Sequence, residues 1–276
     1  MNEASERGSL PQYDNPPVRE IVGAAQFRAL PRFGLPEIVR FGEALEGYEL
    51  RELQPQLPPL QEGPPGRPGP AQLLLAVGPQ PQRALYFRQP DERFVAQVQQ
   101  DRIAINERRL APDREQAPSS EHVWSELDRL ATQVGSELVS DSADHGPSRS
   151  TYVELTYVNV ITPADGVWQD HGELHRVLSI VSPSAGVEPW SSVERASVRF
   201  SFPLLESDRF RGRLHVSAEP AFDGGTPIFN LNLIARRIVD VPGSLETVFA
   251  ACHCDAVRSF TAITTPEIQA HWGRTR

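Results

Sequence analysis

The sequence predicts an α+β protein built from an internally duplicated strand–helix–strands–helix unit, its mainly antiparallel sheets carrying helices on one face. Three observations predict it. Two opening strands share one glutamate among apolar neighbours, Val18-Arg19-Glu20-Ile21-Val22 and Tyr152-Val153-Glu154-Leu155-Thr156. Each is followed by a proline break, a short helical pattern and several strands. Each series then closes on a long amphipathic segment. Short adjacent strands imply antiparallel pairing, because parallel neighbours need long crossovers. Such sheets leave one face free to pack, to line a cavity or to bind.

Taken in order, residues 1–14 are polar and aperiodic and read as a disordered tail. The first unit spans 15–142. Asn15-Pro16-Pro17 fixes an extended entry into a strand over 18–30, since a residue before proline is held out of the helical region. Pro36 suits the first position of a helix over 36–45, ended near Gly47. A strand over 48–53 follows. Residues 55–70 are mostly proline and glycine, which fit neither a helix nor a sheet interior. They read as a floppy, polyproline-like loop. Strands are expected over 71–77, 83–88 and 93–107. Ser119 or Ser120 then caps a helix whose apolar stripe is Val123, Leu127, Leu130, Ala131, Val134 and Leu138.

The second unit spans 150–276. It places a helix near 169–180 and strands over 193–202, 213–218 and 227–239. Ser244 caps a closing helix with the stripe Leu245, Val248, Phe249, Cys252, Ala256, Phe260 and Ile263. Thr265-Pro266-Glu267 starts another helical turn, after which Trp272 can fold back on the core.

Composition narrows the chemistry. All 27 basic residues are arginine, so a lysine Schiff base and the lysine of phosphate-binding loops are both excluded. A net charge of −9 argues against nucleic acid unless the arginines gather in one place. The best local run, Asp208 to Arg213, reads as a hairpin edge facing water. No apolar run is long enough to span a bilayer, and the first residues carry no signal-peptide pattern, so a cytoplasmic location is expected. Cys252 and Cys254 point about 200° apart on a helix and cannot pair. His171 and His175 share a helical face, but the glutamate position and a third ligand of a zinc site are missing. No metal or cofactor is called for.

Glu20 and Glu154, flanked by apolar residues, must be paired or neutralised. The simplest arrangement pairs Glu20 with Arg102 and Glu154 with Arg236, one pair per unit. The alternative brings the two glutamates together as a general acid/base pair. Tyr157 and Asn159 could orient a ligand in an apolar pocket. Asn230 and Asn232 form a row of amides on one strand face, with Gln97 and Gln99 as their earlier counterpart. Tyr157, Asn159, Asn230, Asn232, Arg102 and Arg236 are therefore the ligand-binding candidates.

Three segments together carry a resemblance: Asn15-Pro16-Pro17-Val18-Arg19-Glu20, Glu154-Leu155-Thr156-Tyr157-Val158-Asn159, and Thr264-Thr265-Pro266-Glu267 leading to Trp272-Gly273. With them the chain resembles a sporadically distributed family of uncharacterised prokaryotic proteins of similar length. The resemblance supplies no catalytic residues; a scattered distribution implies an accessory or defence-linked role. The expectation is a non-enzymatic cytoplasmic binding protein for a protein partner or a small ligand. The rival is a small-molecule enzyme using Glu154 or Glu20 as acid/base with Tyr157 and Asn159 for orientation.

Overall fold

The computed structural model describes residues 10–66, 82–110, 117–139, 146–163, 167–182, 193–241 and 244–275. The expected strand over 71–77 lies outside the described residues. Nine strands form one antiparallel sheet: β1 (Val18–Phe27), β2 (Tyr48–Pro55), β3 (Gln82–Arg88), β4 (Phe94–Gln99), β5 (Arg102–Arg108), β6 (Ser150–Ile161), β7 (Val198–Glu206), β8 (Arg209–Asp223) and β9 (Thr226–Ile238). Their spatial order is β2-β3-β4-β5-β1-β6-β9-β8-β7. The sequence leads one to expect a sheet per unit. Instead the two opening strands pair with each other, Ala24 opposite Glu154 and Ile21 opposite Tyr157, and fuse the halves into one sheet.

Both halves run opening strand, short helix, meander, long helix, with one more strand in the first. The helices are α1 (Leu35–Ala44), α2 (Ser120–Leu138), α3 (Leu174–Val177), α4 (Leu245–Ile263) and α5 (Pro266–His271). The continuous stretch expected over 93–107 is broken at Gln100-Asp101, where the chain turns to form the β4–β5 hairpin. The helix expected over 169–180 shrinks to a 3-10 turn, His171–Glu173, and the single turn of α3. His171 is drawn into the core there, with Nε2 2.9 Å from the carbonyl oxygen of Ala221 and able only to donate to it.

All the described helices pack on one sheet face. Alternation sends Ile21, Ala25, Ile103, Ile105, Val153, Leu155, Leu231 and Leu233 to that side, where the α2 stripe Val123, Leu127, Leu130 and Val134 meets them. Phe249, Cys252, Ala256 and Phe260 of α4 complete the layer, while the expected stripe members Ala131, Leu245 and Val248 sit at its margin. α2 and α4 converge over the centre of the sheet at Gly23. A Cβ there would lie 2.7 Å from Cγ1 of Val123 and 2.8 Å from Cε2 of Phe249, so only glycine admits both helices.

Residues 10–14, expected as part of a loose tail, dock on the C-terminus. Leu10 is buried, and Tyr13 packs edge-on against Phe260 and Trp272, which itself stacks on Phe260. Backbone bonds join Asp14 to Gly273 and Asn15 to Trp272. An aromatic residue within reach of an exposed apolar helix face is enough to hold such a segment down.

Candidate functional site

The other face of the sheet carries none of the described helices. Its side chains are the alternate set: Glu20, Val22, Ala24 and Gln26 on β1; Arg102, Ala104 and Asn106 on β5; Tyr152, Glu154, Thr156 and Val158 on β6; Asn230, Asn232, Ile234 and Arg236 on β9. Pairing lines up four polar residues from four adjacent strands: Gln99 opposite Arg102, Arg102 opposite Gln26, and Gln26 opposite Tyr152.

Residues 56–63, the start of the segment expected to be floppy, lie across that row. Gln99 accepts from the Leu57 amide and donates to the Leu57 carbonyl, both at 3.1 Å. Arg102 Nη2 donates to the Pro58 carbonyl at 2.6 Å. Gln26 accepts from the Leu60 amide and donates to its carbonyl at 3.1 Å. The Glu62 amide then points to the Tyr152 hydroxyl. Three inter-strand gaps of about 4.8 Å span about 14 Å, and five residues at about 3.1 Å each reach about 15 Å in a polyproline II conformation. Pro58 and Pro59 therefore preorganise a strap that crosses strands at nearly one grip per strand. The consecutive prolines Pro58 and Pro59 carry no N–H for a strand ladder, as the composition implies, but side chains of the sheet satisfy the backbone groups of their neighbours.

The strap ends in a basic cluster. Glu62, its side chain only 3% exposed, accepts from Arg213 Nη1 at 2.7 Å and Arg236 Nη1 at 2.6 Å, with His215 Nε2 at 2.8 Å. Burial alone would raise its pKa, but the His215 and Arg213 hydrogen bonds and the charge of Arg236 outweigh it and hold the carboxyl down at about 2. Arg236 also carries Glu154, at 2.8 Å through Nε. The expected Glu154–Arg236 pair forms, because the two residues lie directly opposite on β6 and β9.

The expected Glu20–Arg102 pair does not form. In the antiparallel β1–β5 ladder Glu20 faces Arg108 and Arg102 faces Gln26, at the other end of the strand. Glu20 accepts instead from Asn106 Nδ2 at 2.6 Å. Glu154 and Tyr157 have opposite parity on an unbulged strand, so they lie on opposite faces. The Tyr157 hydroxyl meets His253 Nδ1 of α4 at 2.7 Å, with burial raising its pKa, and Asn159 Nδ2 donates to the Leu231 carbonyl at 3.0 Å. Both line a helix-side pocket of about 260 Å³ with Ser120, His253 and Phe260. Asn230 and Asn232 do share the helix-free face, and Asn232 Oδ1 is buried without a hydrogen bond.

The run from Asp208 to Arg213 forms the β7–β8 hairpin, but its arginines do not all face water: β8 is flanked by β7 and β9, and Arg213 is buried against Glu62, while Arg209 and Arg211 pair with Asp240 and Arg211 also with Glu206. Sequence reasoning missed Glu62, Gln26, Arg213 and His215. The signal for Glu62 was there: it is the one acidic residue of a proline- and glycine-rich stretch.

A comparison with known proteins matched no family model, and no curated protein matched the chain significantly. None of the described helices is long and apolar enough to cross a membrane. The fold and site define an α+β protein whose nine described strands form an antiparallel sheet that offers a polar face to a segment lying across them.

Proposed function

We propose that this is a non-enzymatic cytoplasmic binding protein whose helix-free sheet face recognises an extended polypeptide segment of a protein partner. One observation carries the reading. The face already holds a segment of the chain itself, gripping it through main-chain groups at Leu57, Pro58 and Leu60 and through one acidic side chain at Glu62. Grips on backbone groups are indifferent to the side chains that pass, while the basic cluster selects for an acid at one position. Recognition of extended chains commonly divides affinity and specificity in that way. Residues 56–62 then act as an internal occupant that a partner displaces or extends.

The enzyme alternative draws no support from the geometry, since its acid/base candidates and its orienting residues stand on opposite sides of a continuous sheet. The two halves are read, within this proposal, as a duplicated unit whose opening strands meet at the centre. Within this proposal, the resemblance to a sporadic prokaryotic family is taken as support for a partner from an accessory or defence-linked system.

The test replaces residues 57–62 with glycine and serine at constant length and adds a peptide Gln-Leu-Pro-Pro-Leu-Gln-Glu. Saturable binding to the folded variant, weakened when the terminal Glu of the peptide is Gln and absent with the intact protein, supports the reading. A folded variant that binds no peptide overturns it.

A further inference from the structure

The helix side of the sheet keeps an open cavity of about 260 Å³ between the first turn of α2 and the middle of α4. Ile21 of β1 and Leu233 of β9 floor it, Val257 and Phe260 of α4 form one wall, and Pro11 and Tyr13 of the N-terminal segment form another. Tyr13 is held there by its hydroxyl, 2.8 Å from Thr261 Oγ1, and by its edge-on packing against Phe260. The walls are thus aliphatic and aromatic, and none of the described lining residues is Asp, Glu or Arg.

Three polar groups from three separate elements converge on this space. Tyr157 comes from β6, His253 from α4 and Ser120 from the start of α2, and all three residues are partly exposed. The Tyr157 hydroxyl and His253 Nδ1 are 2.7 Å apart, and Ser120 interacts with the same hydroxyl. A phenol hydroxyl has one donor and two acceptor sites. His253 and Ser120 take two of the three, which leaves one for a further partner. An apolar pocket with a few convergent polar groups is the usual form of a small-molecule site.

Size and charge narrow the ligand. An apolar cavity of about 150 Å³ takes benzene, so about 260 Å³ has room for a second fused ring. A charged ligand would give up its hydration with no opposite charge on the lining to replace it. A hydroxyl group, by contrast, can donate to Tyr157 or accept from it, whichever site His253 and Ser120 leave open.

We infer that this cavity binds a neutral bicyclic aromatic molecule bearing one hydroxyl group, with that hydroxyl bonded to Tyr157. The site lies on the opposite side of the sheet from the strap, so it does not depend on the reading of the helix-free face.

The test titrates the full-length protein with naphthol, naphthalene and naphthoate, followed by ligand fluorescence and by the methyl signals of Val18 and Val257, which both line the cavity. Naphthol should bind saturably, shift both sets of methyl signals and bind about fivefold or more tighter than either of the others. Tyr157→Phe should weaken naphthol about fivefold and leave naphthalene unchanged. Val257→Trp, which fills the cavity from a partly exposed position, should abolish binding of both while circular dichroism shows an intact fold. Naphthoate binding as tightly as naphthol would overturn the neutral assignment, and equal losses of naphthol and naphthalene in Tyr157→Phe would overturn the hydroxyl contact. Absence of saturable binding, unmoved methyl signals, or undiminished binding by the folded Val257→Trp variant would overturn the site.

Discussion

Glu62 and Arg236 lie 174 residues apart in sequence and share a hydrogen-bonded ion pair of 2.6 Å on the helix-free face of the sheet. Through Glu154 the same arginine ties β6 to β9, and through Glu62 it ties the strap to both. One half-buried guanidinium thus joins three parts of the chain.

The Glu62 pair makes stability depend on acid. Its carboxyl titrates near 2 in the fold and near 4.5 when unfolded, so its contribution is complete above about pH 4.5 and lost as pH falls towards 2. At about 1.4 kcal/mol per pKa unit, the contribution is about 3 kcal/mol. Glu62→Gln should cost about 2–3 kcal/mol at pH 6, and the gap from the parent protein should close towards pH 2. Urea midpoints for both proteins across that range check it. A gap that stays constant with pH would refute the assignment.

The two glutamates that look equivalent in sequence should behave differently. Glu154 bears on Arg236, itself only 18% exposed, so Glu154→Gln should cost about 1–3 kcal/mol. Among the described residues Glu20 accepts only from a neutral amide, Asn106, and Glu20→Gln should cost less than about 1 kcal/mol. Denaturant unfolding of the two variants side by side measures the difference. Equal losses would restore the symmetric pairing that the sequence implies.

Gly23 sets the distance between the helix layer and the centre of the sheet. Gly23→Ala places a methyl group against Val123 and Phe249, and overpacking of this kind costs about 1–3 kcal/mol. Gly23→Val should cost more. Thermal melts of the two variants give the order, and an unchanged melting temperature for either would mean that α2 and α4 can separate without loss.

Much of this architecture is legible in the sequence because helical spacing is a local signal. The stripe Val123, Leu127, Leu130, Val134 and Leu138 is buried as the periodicity predicts, and the Thr265 hydroxyl caps α5 by accepting from the Ile268 amide. Ser244 sits at its expected position but turns its hydroxyl to the Val241 carbonyl instead of capping α4. What was not legible depends on register. The partner of Glu20 follows from which residue of β5 stands opposite it, and no local pattern states that. The strap was misread for a related reason. Composition correctly excludes residues 56–63 from regular structure, but the absence of regular structure is not the absence of contacts. Gln26, Gln99 and Arg102 are unremarkable one at a time and become a grip only when pairing sets them in one row.

The central claim is that the helix-free face holds residues 57–62 as it would hold a ligand, and amide hydrogen exchange of Leu57 and Leu60 tests it most directly. Their amides are bonded to side chains of Gln99 and Gln26 and to no secondary structure. The account predicts slow exchange at both in the parent protein and faster exchange in Glu62→Gln, where the anchor of the strap is lost. Exchange at the rate of an unstructured peptide in the parent protein would contradict it.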